Sequence, residues 1–199
     1  MRALLLLLAG LAPACSSSRW FAPRENLNGS SPTGFPAAVY PLVSGEDVRG
    51  DLRIWSDGTM VEEAPDDAEV TVLHVGFEIE NTGSAPLTLD LDGLRLSRLQ
   101  SDGGTAADLC PTRVMGDSQA PPGGRAAVQF WFEPATDLGP RDIDAFEVWW
   151  RVRAGPIVFD QVTPFLPWVR DDPWDEPWPN RAGFGLGRGF GFSAFRWCR

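Results

Sequence analysis

The stretch AFEVWWRVR at residues 145–153 sets Phe146, Val148, Trp150 and Val152 on one parity and Glu147, Trp149, Arg151 and Arg153 on the other. A period of two marks a strand with one buried face, whereas a helical period would scatter those apolar side chains around a cylinder. The rhythm recurs along the chain. VTVLHVGFEIEN (70–81) opposes Val75, Phe77 and Ile79 to Glu78 and Glu80, and PLTLDLDGLRLSRL (86–99) alternates Leu87, Leu89 and Leu91 with Thr88 and Asp90. RAAVQFWFEP (125–134) aligns Val128, Phe130 and Phe132, and IVFDQVTPF (157–165) follows the turn Ala154-Gly155-Pro156. DLRIW (51–55) reads as a short edge strand. NTGS (81–84) and PPGG (121–124) supply turn chemistry. With 18 prolines and 21 glycines the chain reads as short strands joined by turns, and no stretch carries an amphipathic helical period.

These elements predict an all-β fold, an antiparallel β-sandwich of about seven strands with Trp150 at the centre of its core. One-sided alternation argues against a parallel sheet, whose strands are covered on both faces. A chain of 199 residues suits one such domain. The 17 basic residues are all arginine, in keeping with a GC-rich genome, and 27 acidic residues give a net charge of -10. That acidity opposes binding to nucleic acid.

Residues 1–14 have the layout of a secretory signal peptide: Arg2, an apolar run from Ala3 to Leu11, then Ala12-Pro13-Ala14. The run has roughly half the length needed to span a bilayer. Residues 15–50, rich in Ser, Pro, Gly and Asn, read as a linker whose mean span would be roughly 30 Å. Within it AAVYPLV (37–43) is a candidate edge strand, because Pro41 is unsuited to a sheet interior. Asn28-Gly29-Ser30 matches a glycosylation sequon by pattern. The sandwich is then expected over 51–166, with an extended Trp/Gly-rich tail at 167–199.

The short leader abutting Cys15 resembles the lipobox of bacterial lipoproteins, although Ala12 and Pro13 depart from the usual pattern and Leu11 stands one place early. The resemblance implies diacylglycerol on the Cys15 sulfur and an acylated amine, and Ser16 then implies the outer membrane. Several acyl chains anchor a protein stably. Ordinary secretion into the periplasm is the competing route. Further along, VGFEIENTGSAPLTL, PPGGRAAVQFWFEP and the closing VTPF resemble the immunoglobulin-like extracytoplasmic domains of bacterial lipoproteins, the telokin-like group, over about residues 51–166. That resemblance implies fold and location, with no assigned activity, and the paired cysteines of antibody domains are missing.

Candidate chemistry is sparse. His74 is the single histidine and sits within a strand pattern, so it reads as a sheet residue rather than a base or metal ligand. LDLDGL (89–94) departs from a calcium loop, and GFGLGRGFGF (183–192) departs from the glycine spacing of a phosphate loop. No cofactor, no metal and no catalytic residue is expected. With Cys15 lipidated, Cys110 and Cys198 form the one candidate disulfide; the alternative is two unpaired thiols. The tail repeats a unit in DDPWDEPW (171–178), and the glycine-alternating stretch after it reads as either an added strand or disordered chain. Outward-facing Trp149, Arg151 and Arg153 would suit Asp171, Asp172, Asp175 and Glu176 with Trp174 and Trp178 folding back over them. The other reading has these tryptophans engage an envelope protein or a glycan. Taken together the residues point to a non-enzymatic envelope module anchored to the membrane by lipid, with a carbohydrate-active or other hydrolytic accessory as the alternative.

Overall fold

A computed structural model of the chain describes residues 19–64, 68–101, 103–134 and 138–169. In chain order the strands are β1 (Phe21–Pro23), β2 (Gly29–Ser30), β3 (Pro36–Ser44), β4 (Asp47–Glu63), β5 (Glu69–Asn81), β6 (Leu87–Leu89) and β7 (Arg95–Ser101). They continue as β8 (Gly104–Thr105), β9 (Arg113–Gly116), β10 (Gln119–Ala120), β11 (Arg125–Phe132), β12 (Ile143–Ala154) and β13 (Ile157–Pro167). None of the described residues is helical. All pairings are antiparallel and form two sheets. The six-stranded sheet runs β2-β3-β4-β5-β11-β9. The seven-stranded sheet runs β1-β13-β12-β6-β10, with β7 also on β12 and β8 on β7.

The expected alternation sets the core. Phe146, Val148, Trp150 and Val152 of β12 meet Val75, Phe77, Ile79, Val128, Phe130 and Phe132 of the other sheet in a single cluster of buried side chains. Trp150 is 2% exposed. Its Nε1–H donates to Thr163 Oγ1 at 2.9 Å, and the Thr163 hydroxyl lies 3.0 Å from the Tyr40 hydroxyl, with the Tyr40 and Trp150 rings edge to face at 5.1 Å. This polar chain joins the two sheets and leaves the indole nitrogen satisfied inside the core.

Two expectations about the N-terminal half are corrected. Residues 19–50 are not a linker: β1, β2, β3 and the start of β4 lie there. Phe21 is fully buried and packs edge to face on Phe146 at 5.0 Å, while Phe146 stacks on Phe165 at 4.8 Å. β3 pairs with β4 from Ala37↔Trp55 to Ser44↔Asp47. β2 covers β3 only at Pro36 and Ala37, so Pro41 lies on an open edge and its missing N–H costs no ladder bond. The second correction concerns DLRIW, which belongs to an interior strand of 17 residues, β4, flanked by β3 and β5. The register shifts between Trp55 and Gly58, a bulge at which the chain resumes pairing as Gly58↔His74. Gly58 has φ 95°, and a Cβ there would stand 2.2 Å from the Arg19 carbonyl oxygen. Only glycine lets the Arg19 segment approach so closely.

Candidate functional site

The two outer faces differ in how far their own side chains close them. On the six-stranded sheet Trp55 lies across Gly76 of the neighbouring strand, where a Cβ would stand 2.3 Å from the indole, and Trp55 is 3% exposed. Beside it the rings of His74 and Trp131 are 5.2 Å apart. The Arg113 guanidinium lies 4.2 Å above the Trp131 ring and is held by a two-pronged contact to Glu62 at 2.8 and 3.1 Å. Around Trp55 and Trp131 this face is closed by its own residues.

Ser56, His74 and Asp57 are neighbours here, yet they do not form a nucleophile and base. The Ser56 hydroxyl donates to the main-chain oxygen of His74 at 2.6 Å, not to its ring. Asp57 Oδ2 is 3.3 Å from His74 Nδ1, and the imidazole is 3% exposed. Burial lowers the His74 pKa, opposed by the Asp57 charge and a Gln129 hydrogen bond, with Arg113 adding to the lowering. A neutral ring buried against tryptophan is a packing element of the sheet, as its strand pattern suggests. Among the described residues no three His, Cys, Asp or Glu side chains cluster as metal ligands.

The seven-stranded sheet leaves an opening. Trp149 is 47% exposed, and the side chains of Arg151 and Arg153 are 42% and 49% exposed, on the outward parity of β12. Register sets Arg95 of β7 on one side of Trp149 and Val162 of β13 on the other, and places Asp160 beside Arg151. Arg95, Trp149, Arg151 and Asp160, together with Gly93, Ser97, Arg98, Asp108 and an edge of Trp150, line a depression of about 420 Å³, within the size range of small-ligand sites.

Charge on the face around the depression is unevenly balanced. Asp90 accepts from Arg153 at 2.8 and 3.2 Å and lies 4.0 Å from Arg151. The Arg153 hydrogen bond comes first among the causes that hold the Asp90 carboxyl below its usual range, against partial desolvation. Asp90 is therefore an ion-pair partner just beyond the end of β6. Arg151 lies 3.8 Å from Asp160, and Arg98 bonds Glu147 at 3.2 Å. Arg95 makes no ion pair among the described residues. Two shielded polar atoms of the lining, Ser97 Oγ and Arg151 Nε, have no hydrogen-bond partner among the described residues. The arrangement offers an indole face bordered by guanidinium donors, which suits a ring with carboxylate or hydroxyl groups beside it.

Of the sequence candidates, Trp149, Arg151 and Arg153 share this face. Cys110 is disulfide-bonded. Cys15, Cys198, Trp174 and Trp178, and the acidic residues Asp171, Asp172, Asp175 and Glu176, lie outside the described residues. Sequence reasoning missed Arg95, Ser97, Asp108 and Asp160. The parity of GLRLSRL already turns Arg95 outward, but only the strand order brings it beside Trp149. No protein-family model matches the chain, and no curated protein sequence matches it.

Proposed function

We propose that this chain is a non-enzymatic binding module of the bacterial envelope: an immunoglobulin-like sandwich, anchored by lipid on Cys15 after removal of residues 1–14, that engages a partner through the Trp149 face. The observation that carries the reading is the contrast between two tryptophans on outer faces, Trp55 sealed against Gly76 and Trp149 half exposed among arginines. Large aromatic and arginine side chains at the middle of a strand are the residue types that dominate binding energy at protein interfaces. The partner is an envelope protein presenting acidic and aromatic groups; a glycan is the other class of ligand that such a tryptophan serves. The membrane is a partner through the anchor, and neither a cofactor nor nucleic acid takes part.

The test is recovery of partners from solubilised envelope with the native protein and with Trp149→Ala/Arg151→Ala, both side chains lying outside the core. The double variant should retain its unfolding midpoint and lose at least about tenfold in recovery of a partner. Equal recovery by both proteins, or equal loss in Met115→Ala on the opposite sheet, would exclude this face. Mass spectrometry of the mature N-terminus checks the anchor: acylated Cys15 supports it, and an unmodified cysteine assigns the chain to ordinary secretion.

A further inference from the structure

Antiparallel sheets must dispose of their edges, and this molecule does so unequally. β9 is four residues long, β2, β8 and β10 are two each, and the open part of β3 is interrupted by Pro41. β13 differs. Its inner side pairs with β12 from Ile157↔Ala154 to Phe165↔Phe146, while its outer side is covered only at residues 165–167 by β1 and at Pro164 by the Arg24 N–H. Along residues 157–163 the outward backbone groups have no partner among the described residues. Among the described residues this is the longest open run free of proline.

The core is incomplete at the same place. Ile157, Phe159 and Gln161 share the inward parity of β13, opposite Ala154, Val152 and Trp150. Those three β12 residues are buried, yet Ile157 and Phe159 are only partly covered and Gln161 is exposed. A sandwich margin with open backbone and half-covered apolar side chains lacks a strand. We propose that residues 186–192 of the same chain, LGRGFGF, add to the open part of β13 as an antiparallel strand. This inference is independent of the Trp149 reading.

The pattern fits one register closely. Setting Arg188 opposite the exposed Gln161 places Leu186 opposite Thr163, Phe190 opposite Phe159 and Phe192 opposite Ile157. Phenylalanine then covers each half-covered apolar residue, the one charged side chain meets the exposed Gln161, and every outward residue of the segment is glycine. Such alternation is what a strand with one buried face requires. The antiparallel sense follows from where the described chain ends. β13 leaves the sheet at Pro167, beyond Thr163, so the chain has to come back. Residues 168–185 supply the return past β1; at about 3.3 Å per extended residue they far exceed the few residues of strand to be retraced. The added strand is a β-augmentation supplied by the protein itself.

Amide hydrogen exchange on the full oxidised chain tests this, comparing native protein with Leu186→Pro/Gly189→Pro. The two substitutions fall on opposite parities, so one of them removes a ladder donor whichever residues of the segment face β13. Outward amides of residues 157–163 should exchange at least about tenfold faster in the variant, with protection in residues 148–152 unchanged. Rapid exchange in the native chain, or equal protection in both, would overturn the proposal. So would protection that rises with protein concentration alongside a dimer, which would assign the edge to a second copy.

Discussion

His74 and Thr163 are buried polar residues with opposite consequences. Burial disfavours the imidazolium of His74, so its pKa is lowered from 6.5 in the folded chain. The unfolded chain therefore binds the proton more readily, and folding stability is lost as pH falls below 6.5 toward the lower folded value. Because the chain holds one histidine, unfolding midpoints measured from pH 8 to 5 isolate this residue. Stability should decline through that window in the native protein and stay nearly level in His74→Gln; parallel curves would show that another group is responsible. Thr163 instead holds the Trp150 indole N–H and meets the Tyr40 hydroxyl. Thr163→Val preserves shape and strands both groups, so denaturant unfolding should show a loss of about 1–3 kcal/mol. Substitution with serine should recover most of that loss.

At the level of the strand, legibility followed the backbone. Residues 146–154 of β12, β11 and the second half of β5 keep an unbroken period of two, and their inward residues are those the alternation assigns. β4 breaks its own pattern at Ser56-Asp57-Gly58, where the bulge shifts the register, so the sequence looks finished at Trp55 although the strand continues to Glu63. A glycine with positive φ reads as a turn in sequence and serves here as a contact point for Arg19. Gly58→Ala should then detach the Arg19–Phe21 segment, at about 1–3 kcal/mol for the backbone strain. Limited proteolysis would report it as new cleavage within residues 19–28, and an unchanged digestion pattern would contradict this account of the bulge. β1 and β2 were hidden for another reason, and β3 was legible only as a candidate edge strand inside an expected linker. Their buried side chains, Phe21, Ala37, Ala38 and Leu42, are few and embedded in Pro, Ser and Gly. Such composition describes a chain that lies over the edges of a sheet as well as it describes a tether. The Trp149 face was half legible, since parity turns a side chain outward but only pairing across strands decides which arginines surround it.

For the whole molecule, the extension of the fold to Arg19 changes how a lipid on Cys15 would hold it. A linker over residues 15–50 would keep the domain roughly 30 Å from the headgroups. With Arg19 donating to the Arg141 carbonyl at 2.6 Å and paired to Asp144 at 3.1 Å, only residues 16–18 lie between the anchor and the sandwich. Three extended residues reach about 10 Å. The end of the sandwich carrying the Arg19–Thr59 bridge and Arg141 should therefore face the bilayer, and the turn after Asn81, at the far end of β5, should face away. Fluorophores at Arg141→Cys and Ser84→Cys, read against spin-labelled headgroups in vesicles bearing the lipidated protein, measure this. Quenching should be strong at 141 and weak at 84, and inserting about twelve Gly and Ser residues after Ser18 should erase the difference by adding roughly 20 Å of flexible span. Equal quenching at both positions without the insertion would reject a short tether. Strong quenching at 141 would mean that any partner of the Trp149 face must approach close to the membrane surface, since Trp149 lies on the same strand as Asp144, five residues of β12 or about 17 Å further on.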